Sequence, residues 1–264
     1  MKFLVAVDLE GVACAYGPLG ASVEDAFNVA FVRKQATREA DAAVRALFDS
    51  GATEVIVWDN HGRGCSLEYD ELDPRCDIAI GSTVETRYPG LDSSFAGVVL
   101  IGYHAMASEG NAALAHTFSS KTYQYIKANG VEIGEVAFDA AAAGRVGVPV
   151  IFASGDNYLT AEAKRFLPWI ETVETKRSYA FTRIVSKHPK RAAEEIYQGV
   201  KKAAGRLAQM QPFTISEPVE VEIRFQRTDV AKHTKLVDIY GERFESPDAF
   251  TRKGVLKKLE DLVV

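Results

Sequence analysis

The sequence has few cysteines, no block of basic residues and no long apolar run, and each lack argues against a class of function. Its three cysteines, Cys14, Cys65 and Cys76, are odd in number and show no Cys-x-x-Cys spacing. They are expected to be reduced thiols in a cytoplasmic protein rather than a disulfide framework. Scattered cysteines of this kind are more often packing residues than nucleophiles. The formal net charge is −5 with no Lys/Arg cluster, so nucleic acid is not an expected partner. No apolar stretch approaches the roughly 20 residues needed to cross a bilayer, so no membrane contact is expected. The opening residues read as a strand, with neither a basic leader nor a small-residue cleavage site. A Gly-x-x-x-x-Gly-Lys loop, a Gly-x-Gly-x-x-Gly after the first strand and a Gly-x-Ser-x-Gly elbow are all missing. That weakens nucleotide-driven and serine-hydrolase readings.

What is present is an ordinary globular composition over 264 residues, 47% hydrophobic and 25% charged. The length allows one large core, or a core with a smaller companion. The chain opens on an apolar run, residues 1–7, that stops on Asp8-Leu9-Glu10-Gly11. Such a run suits a strand buried on both faces. Side chains two apart on a strand share a face, which puts Asp8 beside Glu10. Two neighbouring buried carboxylates are costly unless a cation or donor offsets them. The same stretch also fits a helix N-cap with a spare acid.

Residues 24–49 carry a long helical pattern closed by Ser50-Gly51, and residues 54–58 form a second apolar strand that ends on Asp59-Asn60-His61-Gly62. Strand–helix–strand order implies a parallel sheet with a right-handed crossover. Residues 77–80 and 97–102 read as further strands, the latter running into Tyr103-His104. Asn129-Gly130 between two apolar runs signals a hairpin. An alanine-rich helix follows Gly134-Glu135, then a strand over 149–153. Near residue 170 the texture changes: a charged helix over 189–209, an alternating strand over 219–225, its partner over 235–240, and a closing helix over 248–262. The expected fold is α/β, a mostly parallel sheet flanked by helices over residues 1–165. A smaller α+β part over 166–264 would serve packing or oligomerisation.

Three apolar strands thus run into acids or histidines at their C-terminal ends, where open α/β sheets bind ligands. A lone strand-end histidine is more often structural than a ligand. His61 and His104 together, with Asp8 and Glu10 at corresponding ends, point towards a metal site. Imidazole with carboxylate suits zinc, manganese or iron. His116, in a loop rich in small residues, fits a general acid or base but equally a surface histidine. Glu135, at a helix start, is explained by the helix dipole as well as by metal binding.

The segments Val7-Asp8-Leu9-Glu10-Gly11, Asp59-Asn60-His61-Gly62, Gly102-Tyr103-His104-Ala105, His116-Thr117 and Gly134-Glu135 stand in the order seen in the DppA-type zinc D-aminopeptidases, peptidase family M55, which the chain resembles. The resemblance is dense to about residue 157 and looser beyond. It implies two zinc ions per subunit, with Asp8 bridging them. Glu10 and His61 would complete one site, His104 and Glu135 the other, and His116 would be the catalytic histidine. It further implies release of N-terminal D-residues, D-Ala above all, from short peptides, and a ring-shaped homo-oligomer, a decamer. The loop over 14–21 and the stretch after Asp156 differ from the family pattern and are expected to bear on the substrate pocket. Two alternatives stay open from the residues: a metallohydrolase of the same fold acting on another amide or ester, and a non-catalytic metal-bearing binding protein.

Overall fold

The structure, a computed structural model, describes residues 1–18, 22–81 and 87–262. The first half runs β1 (Lys2–Val7), α1 (Val29–Asp49), β2 (Glu54–Asp59), β3 (Asp77–Ala79), β4 (Phe95–Ile101), β5 (Tyr123–Ala128), β6 (Val131–Ile133) and α2 (Glu135–Arg145). The second runs β7 (Val150–Asp156), α3 (Asn157–Phe166), β8 (Glu171–Ala180), β9 (Arg183–Ser186), α4 (Pro189–Ala204), β10 (Val219–Phe225), α5 (Thr228–His233) and β11 (Thr251–Leu256). Seven strands form one sheet in the order β3-β2-β1-β4-β7-β8-β9, parallel except at β9. Four more form an antiparallel sheet, β11-β10-β5-β6. The α/β class is as expected. The main sheet takes β8 and β9 from beyond residue 166, and the small sheet takes β5 and β6 from before it.

Strand periodicity sets the layers. Phe3, Val5 and Val7 of β1 face α1 and α4, while Leu4 and Ala6 face α2 and α3. α2 lies between the two sheets. Every residue from Glu135 to Gly144 is buried, and its alanines let both sheets approach closely. Asn129 and Gly130, both with positive φ, make the β5–β6 turn.

Two C-terminal expectations are corrected. Residues 248–262 hold β11 and a single 3₁₀ turn (Leu259–Asp261) in place of a closing helix. Gly254 packs against the Phe244 ring, where a Cβ would come within 2.4 Å, and the strand is fixed by pairing with β10. Residues 235–240 do not partner β10, because β5 and β11 already occupy both its edges. Their apolar side chains Val237, Ile239 and Tyr240 are exposed. No helix among the described residues is long and apolar enough to cross a membrane.

The strand order reverses between β1 and β4, and ligands of such sheets bind at this switch point. Here the backbone is tightly closed. Gly11 N donates to Gly102 O at 2.6 Å, and Asp8 N to Ile101 O at 2.8 Å. A Cβ on Gly11 would lie 1.8 Å from the Tyr103 carbonyl oxygen. Behind the switch point, Asp139 of α2 receives the Tyr103 hydroxyl at 2.6 Å and the Arg87 guanidinium through Nε and Nη2 at 2.5 and 3.1 Å. Asn60 Nδ2 donates to the same hydroxyl at 3.0 Å.

Two stability effects are expected. Gly11→Ala forces the loop off β4 and should lower stability by about 3 kcal/mol or more. Asp139→Asn removes the charged partner of the half-buried Arg87, which keeps only Glu135 at 3.7 Å, and should cost about 2 kcal/mol. Urea unfolding checks both, and a midpoint within error of the parent protein would contradict the respective packing account.

Candidate metal centre

Each candidate side chain is set by where its strand or helix ends. Asp8 and Glu10 follow β1 and are 4% and 2% exposed. Asp8 Oδ1 accepts from Leu9 N at 2.9 Å, while Oδ2 lies 3.4 Å from His104 Nε2. Glu10 Oε1 lies 3.2 Å from His61 Nε2. Glu10 Oε2 is buried with no hydrogen-bond partner. Glu135 opens α2, and its Oε1 accepts from Phe118 N at 2.7 Å and sits 3.2 Å from His104 Nε2. Its Oε2 is 3.7 Å from Arg87 Nη2.

The histidines are oriented from behind. His104 Nδ1 is 3.1 Å from the Ala105 carbonyl oxygen, which turns Nε2 towards Asp8 and Glu135. His116 Nδ1 is 2.9 Å from the Leu114 carbonyl oxygen, which assigns the proton to Nδ1 and leaves Nε2 as an acceptor. Its ring stacks on that of His104, with centroids 3.8 Å apart. The His61 loop hangs from Asp59, whose Oδ2 accepts from Ser66 N, Leu67 N and the Tyr69 hydroxyl at 2.6–3.1 Å. Asp59 Oδ2 therefore serves the loop, while its Oδ1 is buried with no hydrogen-bond partner and the residue lines the same cavity as the cluster.

All six candidates line one cavity of about 570 Å³. Asp8, Glu10 and His104 offer ligand atoms within 4.8 Å of one another, and so do His104, His116 and Glu135. His61 stands at the outer side of Glu10. Trp58, Phe118, Phe138 and Leu262 supply apolar wall, with Arg87 and Lys121 as its cations. Of the differing loop over 14–21, residues 14–18 do not line the cavity, and 19–21 lie outside the described residues. Among the described residues of the stretch after Asp156, only Glu260 and Leu262 reach it.

The electrostatics follow from packing three carboxylates where water is scarce. Burial and the neighbouring Glu10 charge raise Asp8 well above the usual carboxylate range. Burial works against Glu10 and Glu135 too, but His61 outweighs it for Glu10, and His104 carries Glu135 down to about 2. Burial would depress His61, yet Glu10 lifts it to about 9, and Glu135 with Asp8 raises His104 in the same way. His116 moves the other way, pushed down by burial and by the His104 charge. Imidazoles and carboxylates thus act as each other's counter-charges. A divalent cation takes the place of those protons when it binds. The donor set of carboxylates and imidazoles suits zinc, and the unpartnered Glu10 Oε2 is an oxygen ready for a cation, so the residues fit such an ion.

Sequence reasoning passed over Arg87, Asp139 and the Tyr103 hydroxyl. Asp139 carried a signal: it is the one acid inside an alanine-rich helix, four residues after Glu135. Arg87 carried none.

A D-aminopeptidase of Bacillus subtilis (strain 168) is 27% identical to this chain over 244 residues, which cover 90% of the chain and 86% of the relative. Among solved structures, the Zn-dependent D-aminopeptidase DppA from Bacillus subtilis, described as a self-compartmentalizing protease, matches with a TM-score of 0.89 at 24% identity. The match covers 99% of this chain and 93% of that one, and it is a likeness of fold. The family model for peptidase family M55, described as D-aminopeptidase, matches residues 1–249. The chain therefore belongs to peptidase family M55, the D-aminopeptidases.

Proposed function

We propose that this chain is a cytoplasmic, two-zinc aminopeptidase that removes N-terminal D-residues, D-Ala above all, from short peptides. The observation that carries the reading is the cavity floor itself, where three buried carboxylates meet three imidazoles and Glu10 keeps one oxygen unpartnered. Asp8 stands between Glu10 with His61 on one side and His104 with Glu135 on the other, which supports its role as the bridging ligand. Zinc held by these five residues would polarise a substrate carbonyl and lower the pKa of a bound water.

The chain's own groups supply the rest. In amide hydrolysis the water oxygen adds to the carbonyl carbon, the C–N bond breaks, and a proton must reach the departing amine. His116 is the group for that proton. Its Nδ1 is tied to Leu114, so Nε2 alone takes and returns it. Burial beside His104 keeps the ring neutral and able to accept. The apolar wall of Trp58, Phe118 and Phe138 limits water around the substrate. Assembly into a ring-shaped decamer belongs to the same reading, supported by the self-compartmentalizing description of the solved relative.

His104→Ala should abolish activity and lower bound metal, because it removes the side chain nearest both Asp8 and Glu135. Full activity with undiminished metal would overturn the ligand assignment. His116→Ala should keep its metal and lose about 10²- to 10⁴-fold in kcat. Loss of metal there would exchange the two roles. Elemental analysis on the same samples used for D-Ala and L-Ala peptide assays separates these cases. Chelation should stop hydrolysis, and added zinc should restore it. Light scattering should return about ten times the 28.8 kDa chain mass, and a monomer would remove the ring from the reading.

A further inference from the structure

β8 breaks its own alternation at the point where it reaches the metal centre. Thr175 and Lys176 are consecutive, yet both are buried. The register against β7 shifts here: Gly155 pairs with Glu174 and Asp156 with Lys176, leaving Thr175 as the extra residue. Such a bulge re-aims side chains, and these are common beside active sites. It turns Lys176 and Ser178 inward together with Thr175.

All three side chains hold loops of the site. The Thr175 hydroxyl lies 2.5 Å from the Gly11 carbonyl oxygen. Ser178 Oγ donates to Asp156 Oδ2 at 2.6 Å and accepts from Ala113 N at 3.1 Å, in the loop that leads to His116. Lys176 is only 1% exposed, and its ammonium donates to the carbonyl oxygens of Glu10, of Val12 at 3.3 Å and of Ala15 at 2.8 Å. Its three protons match these three acceptors. From α1, Glu39 Oε1 takes Ala13 N at 2.9 Å and completes the grip on the loop.

A buried ammonium is costly, and an apolar side chain would fill the space more cheaply. What the ammonium supplies is a fixed backbone under two carboxylates that repel each other. Relief of that repulsion would require the 8–15 loop to carry Glu10 away from Asp8. Lys176 prevents this from the main-chain side. By bonding carbonyls and not the carboxylate, it brings positive charge close while leaving Glu10 Oε1 to His61 and Oε2 unpartnered.

We propose that Lys176 is a positioning residue of the metal centre, gripping the carbonyls of Glu10, Val12 and Ala15 so that Asp8 and Glu10 stay at the spacing divalent ions need. The inference rests on the two-zinc reading above. The test compares the full-length protein with K176M and K176R. Zinc affinity is measured by competition with a chromogenic chelator, and ligand geometry by the visible spectrum of the cobalt(II)-loaded protein. K176M is expected to bind zinc about 10- to 100-fold more weakly and to change the cobalt spectrum. K176R keeps the charge but spreads its donors over a plane, so it should lie between K176M and the parent. A residue that merely stabilised the fold would lower the unfolding midpoint and leave the zinc affinity of the folded protein unchanged. If K176M does not fold, K176R decides. Parent-like zinc affinity and cobalt spectrum in either folded variant overturn the proposal, and so does failure of both to fold, which would make Lys176 a folding residue only. A parent protein that binds no zinc overturns the metal reading first and this inference with it.

Discussion

Three carboxylates buried within one small volume are the constraint to which the surrounding structure answers. Asp8, Glu10 and Glu135 have too little water to screen them, so their repulsion must be met by the protein. The obvious remedy, a lysine or arginine paired to each, is not used. Arg87 comes within 3.7 Å of Glu135, but its fork is already taken up by Asp139. Lys176 spends its donors on main-chain carbonyls. Both cations sit one step back from the carboxylate oxygens. They temper the field without occupying the atoms that, in the proposed reading, bind metal. The groups that do face those oxygens are imidazoles and main-chain N–H, and an imidazole exchanges a proton for a divalent ion as neither lysine nor arginine does.

The fold makes this arrangement affordable by placing it where the main sheet is already open. At the reversal between β1 and β4 the helices diverge to opposite faces, and strand-end residues converge without crowding by a crossover. β1, β2 and β4 bring Asp8, Glu10, His61 and His104. α2 adds Glu135 because it is wedged between the two sheets, with its N-terminus at the switch point. The cavity walls come partly from these same elements, with Trp58 on β2 and Phe138 on α2, and partly from elsewhere, with Phe118 before β5 and Leu262 after β11. Charge chemistry and cavity shape thus overlap on β2 and α2, and Phe118 ties wall to floor by donating its N–H to Glu135.

The main sheet was legible because buried parallel strands are short apolar runs, and β1, β2, β4 and β7 are nearly pure examples. Their C-terminal residues pointed to the cluster for the same reason. The small sheet was not legible. β5 and β6 read correctly as a hairpin, but their pairing with β10, some hundred residues later, leaves no local trace. β11 reads as helix because a half-exposed six-residue strand with lysine and arginine has no clean period. Lys176 was hidden more deeply. On strict alternation from Val173 it belongs on the opposite face from Thr175, and only the bulge, a consequence of pairing with β7, turns it inward.

The two stacked histidines show how far environment alone can divide labour. His104 and His116 are the same side chain, the first buried and the second half-buried, with rings 3.8 Å apart. His104 points Nε2 between two carboxylates and is drawn towards the charged form. His116 points Nδ1 at a neutral carbonyl, feels the charge of its neighbour, and is driven towards the neutral form. One ring is committed to the carboxylates and the other is kept available to accept a proton. In the proposed reading, surroundings that push two titratable groups apart in this way support separate roles for them. A cation bound beside His104 would repel a proton on His116 just as protonated His104 does. In the proposed reading, the separation of roles therefore rests on the stacking that couples the two rings, whichever charge occupies the carboxylates.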